Sequence, residues 1–198
     1  MKAVVIMLLA GTAILAVGCA GHSDRADKSQ DTDDAVRIAL EKQYAQQARA
    51  YYENDPSLLR AVRAPDFSAQ PPGAPRWTTE DADAYLNASF QQVKKTLHIS
   101  FDITSLTVEG DTASVMIHQQ WKRMQDKGGV LRNVETEAFQ REWWRNTREG
   151  WRIFFVDDVR RGVWKIDGKR VDPNKPYDPG APPYEPDESP DESKSPSP

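Results

Sequence analysis

The sequence predicts an α+β fold in which N-terminal helices pack on a bent antiparallel β-sheet. Apolar residues recur at three- and four-residue steps as far as residue 97 and then at every second residue, which indicates helices followed by strands. Short turns separate the alternating runs, and strands joined in this way pair in antiparallel order. Helices followed by such a meander are typical of the α+β class.

Three helices are predicted in the first half of the chain. The longest covers residues 33–54, where apolar side chains fall along one face. Pro56 suits the first position of a short second helix, which Pro65 is expected to end. After a loop rich in Pro and Gly, a third helix begins at Thr78 or Thr79.

Four long strands and a small hairpin are predicted in the second half. The first strand begins at Leu97, and its apolar phase slips by one residue near Thr104–Ser105, which predicts a β-bulge and a bend. Turns at 126–129 and 147–150 separate the later strands. Asp167-Gly168 lies between two short runs and predicts the turn of the final hairpin.

The two ends of the chain differ from this body in composition. The tail carries nine Pro and seven acids against two Lys, so it cannot bury enough apolar surface to offset its chain entropy and is expected to be disordered. The net charge of the chain is −4, and its excess of acidic residues lies in these two ends. The body is mildly basic and gives no indication of nucleic-acid binding. The predicted division is a signal peptide at 1–18, a flexible acidic spacer at 19–33, one folded domain at 34–171 and a disordered tail at 172–198.

The first eighteen residues read as a secretory signal peptide. Lys2 precedes an apolar run that ends in small residues. This run is shorter than the roughly twenty residues that span a bilayer, so removal is expected. Cys19 follows it as the only cysteine of the chain, which excludes an intramolecular disulfide.

The segment Leu15–Cys19, LAVGC, resembles the lipobox of bacterial lipoproteins. The resemblance implies cleavage between Gly18 and Cys19, a diacylglycerol thioether on the Cys19 sulfur and an acyl chain such as palmitate on the new amine. Ala16 departs from the pattern, which has Leu at this position more often. Ala20 after the cysteine implies the outer membrane, with the domain facing the periplasm.

Two alternatives to lipidation remain open at this point. Ordinary signal peptidase could cut after Ala20, with Gly18 and Ala20 as the small pair it requires, or Cys19 could be a plain leader residue. If the lipid is attached, several acyl chains make a stable anchor, since each buried methylene contributes about 0.8 kcal/mol.

The order of elements over residues 34–160 resembles the nuclear-transport-factor-2-like superfamily, which includes ketosteroid isomerases and SnoaL-like cyclases. The similarity is carried by the YYENDPSLL segment, the PPG loop and a Trp-rich strand followed by a turn and GWRI. It implies that a strongly curved sheet wraps the long helix into a cystatin-like cone, which ligands enter at its open end. Candidates for the cone interior are Tyr44, Tyr51, Tyr85, Gln119, Trp121, Trp143 and Phe155. Aromatic residues at such spacings are also ordinary core residues.

The resemblance also allows a test of catalysis. Isomerases of this family use a carboxylate base together with a Tyr and a carboxylic acid that its apolar site keeps neutral. The base position falls near Gln70, an amide that cannot accept a proton from carbon, and the neutral acid falls near Arg141 within a residue or two. Tyr44 is the one match. An unconventional set of Tyr44, Asp66 and Gln119 remains as an alternative.

Other sites leave little trace in the sequence. No metal-ligand, phosphate-loop or nucleophile–His–acid motif is present, so neither a cofactor nor a metal is expected. His98 and His118 are expected to face solvent on neighbouring strands. The first hypothesis is a non-catalytic, membrane-anchored module that binds a small hydrophobic ligand or an envelope protein. A cyclase or isomerase and an accessory subunit of envelope assembly or secretion are the alternatives, and a homodimer through the convex sheet face is a further expectation.

Overall fold

The computed structural model describes residues 23–172 and 175–185, with side chains from residue 33 onward. The predicted signal peptide and the cleavage and lipidation site at Gly18 and Cys19 lie outside the described residues. The elements are α1 (Ser23–Glu53), α2 (Pro56–Arg60), β1 (Arg63–Ala69), α3 (Thr79–Gln92), β2 (Val93–Glu109), β3 (Thr112–Lys127), β4 (Val130–Thr147), β5 (Gly150–Ile166) and β6 (Lys169–Arg170). The α+β prediction is confirmed.

Helix α1 begins at Ser23, ten residues earlier than predicted, and so runs through most of the segment expected to be a flexible spacer. No Gly or Pro occurs between Gly21 and Pro56, and these are the two residues that most disfavour a helix interior. None of the helices within residues 23–172 and 175–185 is long and apolar enough to cross a membrane.

The sheet has the order β1-β5-β4-β3-β2, with β6 paired to β5. The predicted antiparallel meander of β2 to β5 is confirmed, as is the bulge, which appears as a register shift between Ile103 and Ser105. Further register shifts in β2 and β5 bend the sheet, because each bulge adds local twist. The hairpin turn at Asp167-Gly168 is also confirmed, with φ values of 49° and 81° that suit a tight turn.

Strand β1 was not predicted, and it pairs in parallel with β5 at the edge of the sheet. Its sequence RAPDFSA has no period-two apolar pattern and contains Pro65, which argued against a strand. An edge strand tolerates Pro because one side of its backbone has no partner strand to receive its hydrogen bonds.

Helix α3 begins at Thr79, as the sequence predicts, and a capping box between Thr78 and Asp81 precedes it, but the helix ends at Gln92. Strand β2 therefore begins at Val93, four residues before the predicted start. Its first buried residues recur every third position because two register shifts fall among them. That spacing imitates a helical face, which explains the error.

The core lies between α1 and the concave face of the sheet. Alternate residues of β3 and β4 point toward α1, so that Leu40 packs among Val115, Ile117 and Trp144. Each of these side chains is fully buried and contributes roughly 1.5–3 kcal/mol. A smaller cluster of Ala50, Leu59, Leu86 and Phe90 joins α1, α2 and α3.

The part of the predicted tail that the structure describes, residues 175–185, follows the far end of β5 and β6. The Tyr184 amide donates to the Arg170 carbonyl at 2.9 Å, and the Val171 amide donates to the Trp164 carbonyl at 2.9 Å. Irregular chain therefore lies against the end of the sheet opposite the α1 core.

Candidate functional site

A buried carboxylic acid lies in the core on the concave face. Glu142 is 1% exposed and accepts hydrogen bonds from the Tyr44 hydroxyl at 2.8 Å, the Gln140 amide at 2.7 Å and the Trp144 indole at 3.2 Å. Burial raises the pKa of Glu142, and burial together with the charge on Glu142 raises the pKa of Tyr44. We call Tyr44 and Glu142 the core pair.

The core pair is enclosed by its neighbours. The Tyr44 ring stacks on Phe101 at 5.5 Å and meets Trp144 edge-on at 5.5 Å, and Trp144 is fully buried. Because three donors already satisfy the carboxyl group, the core pair has the features of a structural polar network.

Sequence reasoning placed this acid near Arg141, one residue away from Glu142. Arg141 lies on the convex face, where it forms an ion pair with Asp157 at 2.7 Å. The signal that could have settled the register is strand alternation, since Glu142 and Trp144 share a face and Arg141 and Trp143 share the other.

Three of the predicted interior residues come together in the middle of the concave face. The Gln119 amide donates to the Tyr51 hydroxyl at 3.3 Å, and the Tyr51 and Trp121 rings meet edge-on at 4.7 Å. The Trp121 indole donates to Thr96 at 3.2 Å. Burial raises the pKa of Tyr51. We call Tyr51, Gln119 and Trp121 the aromatic band.

Arg123 follows the aromatic band on the same face of β3 and is 6% exposed. Its guanidinium lies 3.9 Å from the Trp121 ring centroid and donates to Gln125 at 2.8 Å and to Thr136 at 2.9 Å. No carboxylate forms an ion pair with it among the residues that the structure describes. Burial lowers its pKa to about 10. A buried charge with only neutral partners is costly.

A cavity of about 600 Å³ lies beyond Arg123, between the end of the sheet and residues 175–185. We call it the distal cavity. Its walls include Lys127, whose ammonium group lies 5.7 Å from the Trp164 ring centroid. The Trp164 indole nitrogen is buried and has no hydrogen-bond partner among the described residues. Burial, followed by the charge of Arg123, lowers the pKa of Lys127.

The rest of the distal cavity mixes apolar and charged side chains. Its sheet side is completed by Ile166, and its other side is formed by prolines and two tyrosines of the C-terminal segment. The remaining lining residues are Lys169, Arg170, Val171, Asp172, Lys175, Pro176, Tyr177, Asp178, Pro179, Ala181, Pro182, Pro183, Tyr184 and Glu185. Sequence reasoning missed this cavity because Pro-rich composition indicates disorder and does not indicate a docking position.

Trp143 and Phe155 do not line the interior, contrary to expectation. They are cross-strand partners on the convex face, where Trp143 donates to Asp157 at 3.4 Å and the Arg76 guanidinium lies 4.3 Å from the Phe155 ring centroid. A register shift between Trp143 and Trp144 on β4 alters the pairing there, so composition alone could not show which Trp points inward.

Tyr85 does not belong to the packed interior either. It is 61% exposed and its ring packs against Trp77 at 5.0 Å. The buried face of α3 is formed by Ala82, Leu86 and Phe90, which recur every fourth residue and turn Tyr85 outward.

The structure does not bring the alternative catalytic set together. Tyr44 is enclosed in the core, whereas the Asp66 side chain is 60% exposed and forms an ion pair with Arg145 at 3.3 Å. Gln70, at the expected base position, donates to the Ala74 carbonyl of its own loop at 2.6 Å. Within the described part of the chain, no three His, Cys, Asp or Glu side chains form a group that could hold a metal ion.

Sequence comparisons match nothing: no family model matches the chain, and neither does any curated protein sequence. Solved structures match it well. A nuclear transport factor 2-like superfamily protein from Salmonella enterica is 14% identical to this chain. The match covers 66% of this chain and 93% of the Salmonella protein, with a TM-score of 0.53. A candidate scytalone dehydratase from Novosphingobium aromaticivorans is 15% identical to this chain. The match covers 69% of this chain and 90% of the dehydratase, with a TM-score of 0.57. The chain has the nuclear-transport-factor-2-like fold.

A hexachlorocyclohexane dehydrochlorinase shares this fold at 14% identity. The match covers 76% of this chain and 99% of the dehydrochlorinase, with a TM-score of 0.56. At such identities the likeness extends to the fold alone. In this nuclear-transport-factor-2-like domain, the concave face therefore offers three distinct environments in order along β3: the enclosed core pair, the half-buried aromatic band, and the distal cavity.

Proposed function

We propose that this protein is a membrane-anchored envelope lipoprotein whose nuclear-transport-factor-2-like domain binds a small ligand in the distal cavity without transforming it. The observation that carries the proposal is the distal cavity itself. Its volume of about 600 Å³ falls within the range of small-molecule sites, and its lining offers both apolar surface and charged groups.

A non-catalytic role is supported by the placement of the acid and base candidates. The base position holds the Gln70 amide, which is engaged within its own loop, and Asp66 is paired at the surface. The one carboxylic acid in the interior, Glu142, has three donors and is shielded from the distal cavity. Proton transfer from a bound ligand needs a group within hydrogen-bond reach, and Asp66, Gln70 and Glu142 are all absent from the lining of the cavity.

Membrane anchoring is supported by the LAVGC segment and the single cysteine. Three residues separate Cys19 from the start of α1 at Ser23, so a lipid on Cys19 would connect to the domain mainly through helix. We place the protein in the outer membrane, facing the periplasm, on the basis of Ala20.

A cysteine variant tests the anchor. Full-length wild type and Cys19→Ser are expressed in a Gram-negative host with a radiolabelled fatty acid, and the membrane and soluble fractions are compared. Wild type is expected to carry label and to sediment with membranes, and Cys19→Ser is expected to lose the label and to be released or left uncleaved. A Cys19→Ser protein that stays processed and membrane-bound would contradict the anchor.

Native mass spectrometry tests the ligand. The full chain is released from membranes in mild detergent, and Trp164→Ala is compared with Trp143→Ala, a matched change on the convex face. We expect a small-molecule adduct on wild type and on Trp143→Ala that is lost from Trp164→Ala. The absence of any adduct, or its retention in Trp164→Ala, argues against binding in the distal cavity.

An enzyme of the cyclase or isomerase type is the second candidate, and the core pair is the observation that favours it. A Tyr hydroxyl 2.8 Å from a carboxyl group of raised pKa matches the groups that hold an enolate oxygen in the isomerases. This candidate predicts turnover of a β,γ-unsaturated ketone that falls about 100-fold in Glu142→Gln, with Glu137→Gln as the control. No turnover by wild type removes it.

A homodimer through the convex face and an accessory role in envelope assembly or secretion stay predictions. Light scattering on the full chain in detergent tests the former, and cross-linking in intact membranes tests the latter.

A further inference from the structure

Two cations on the concave face of β3 lack an acidic partner in the ranges that the structure describes. Arg123 has only neutral hydrogen-bond partners, and Lys127, four residues later on the same face, forms no ion pair. Elsewhere the chain pairs its half-buried cations closely, with Arg63 2.7 Å from Asp83 and Lys122 2.8 Å from Glu135.

The distal cavity adds further donors to these charges. The buried Trp164 indole nitrogen faces no acceptor within the described chain, and Lys169 and Arg170 on the rim form no ion pair there. Two of the three acids of the lining are already engaged: Asp172 lies 3.3 Å from Lys175, and Asp178 accepts from the Gly180 amide at 2.8 Å, while Glu185 is the third acid beside four Lys and Arg residues. The cavity therefore has more donor capacity than its own residues satisfy.

The apolar part of the cavity favours a flat molecule. Trp164, two tyrosines and several prolines all line the cavity, and an aromatic body packs well against such side chains. The Lys127 ammonium group lies 5.7 Å from the Trp164 ring centroid, and a charge-assisted hydrogen bond to an oxyanion is stronger than one to a neutral oxygen.

We infer that the ligand of the distal cavity is a small aromatic carboxylate whose oxyanion faces the Lys127 ammonium group. This inference rests on the proposed function and assigns its ligand class. The anion supplies the counter-charge that Lys127 lacks, and the neighbouring charge of Arg123 adds a favourable potential.

The test compares two probes of matched shape, 2-naphthoate and the uncharged 2-naphthamide, by titration calorimetry on the full chain in detergent. Wild type is expected to bind the carboxylate about tenfold more tightly than the amide, a difference of about 1.4 kcal/mol. Lys127→Met keeps the aliphatic stem and removes the charge, so it is expected to abolish this preference.

Two further variants locate the effect. Lys122 lies on the same strand but on the opposite face, where it pairs with Glu135. Lys122→Met is therefore expected to leave the preference for the carboxylate unchanged. Trp164→Ala removes the aromatic surface beside Lys127, and it is expected to weaken the binding of both probes several-fold.

The failures of the two proposals are distinguishable. Equal binding of the two probes, or a preference that survives in Lys127→Met, overturns the anion inference and leaves the binding function standing. Failure of both probes to bind also overturns the aromatic carboxylate class, and the native mass spectra of wild type then decide whether the cavity binds any ligand at all.

Discussion

The two ends of the concave sheet face differ in how their polar groups are satisfied. At the core pair, every donor around Glu142 points at its carboxyl group, and Trp144 closes the surroundings. At the distal cavity, Lys127 and the Trp164 indole N–H have no acceptor among the described residues. The same sheet thus carries one polar site completed by its own residues and one that is incomplete.

This difference separates stability from binding. A buried polar network with all partners present specifies the packing of the core, and removing one member leaves the others unsatisfied. Buried donors without acceptors cost folding free energy, whereas an unpaired charge that lines a cavity, such as the Lys127 ammonium group, is available to a ligand. Variants at the core pair should therefore change the free energy of unfolding, and variants at the distal cavity should change affinity.

The largest expected effect is that of Glu142→Ala. It removes the acceptor of three donors, including Tyr44 and Trp144, and leaves a cavity in the core, so the free energy of unfolding should fall by about 3–5 kcal/mol. Urea unfolding followed by circular dichroism measures it. Glu137→Ala, on the convex face, is the control and should cost less than about 1 kcal/mol. Equal losses of stability in the two variants would contradict a stabilising role for the core pair.

A second effect is the pH dependence of stability. The pKa of Glu142 is raised in the folded protein above its usual value of 4.5, so the folded state binds the proton more tightly than the unfolded state does. Its contribution to stability is therefore present in full below pH 4.5 and is lost as the pH rises through the folded pKa. Each pKa unit corresponds to about 1.4 kcal/mol.

Glu142→Gln isolates that contribution, since the amide does not titrate. The stability of wild type minus that of Glu142→Gln should fall as the pH rises above 4.5 and then level off. Urea titrations between pH 4 and pH 8 measure the difference. A difference that stays constant or increases with pH contradicts a raised pKa.

Sequence patterns predicted the architecture well because period-two and helical spacings survive in most elements. They failed where bulges changed the period, as at the start of β2, and where Trp143 and Trp144 stand side by side on β4. Glu142 was missed by one residue for the same reason, since the phase of a strand decides which side chains point inward. Helical spacing places Tyr51 on the apolar face of the first helix, and the resemblance to the superfamily implies that this residue lines the cone.

The distal cavity could not have been predicted from local patterns. One of its sides consists of residues 175–185, whose Pro-rich and acidic composition indicates disorder. Their position depends on long-range contacts such as the hydrogen bond from the Tyr184 amide to the Arg170 carbonyl. Lys127 and Trp164 lie at the ends of separate strands, and only the sheet register brings them together.

The smallest expected effect on stability is that of Lys127→Met. The ammonium group is partly buried and has no carboxylate partner in the described chain, so its replacement by an uncharged side chain of similar length removes a desolvation cost. Without ligand, the free energy of unfolding should stay the same or rise by up to about 0.5 kcal/mol. In saturating 2-naphthoate, wild type should gain stability and Lys127→Met should gain much less.

Urea midpoints measured with and without 2-naphthoate test this prediction. Lys127→Met should be at least as stable as wild type without the ligand and less stable than wild type with it. The matched variant Lys122→Met breaks an ion pair on the convex face, so it should lose up to about 1 kcal/mol in both conditions and gain from the ligand as wild type does. If Lys127→Met is instead strongly destabilised in the absence of ligand, Lys127 serves the fold. The distal cavity would then resemble the core pair, because its polar groups would be part of the folded structure before any ligand binds.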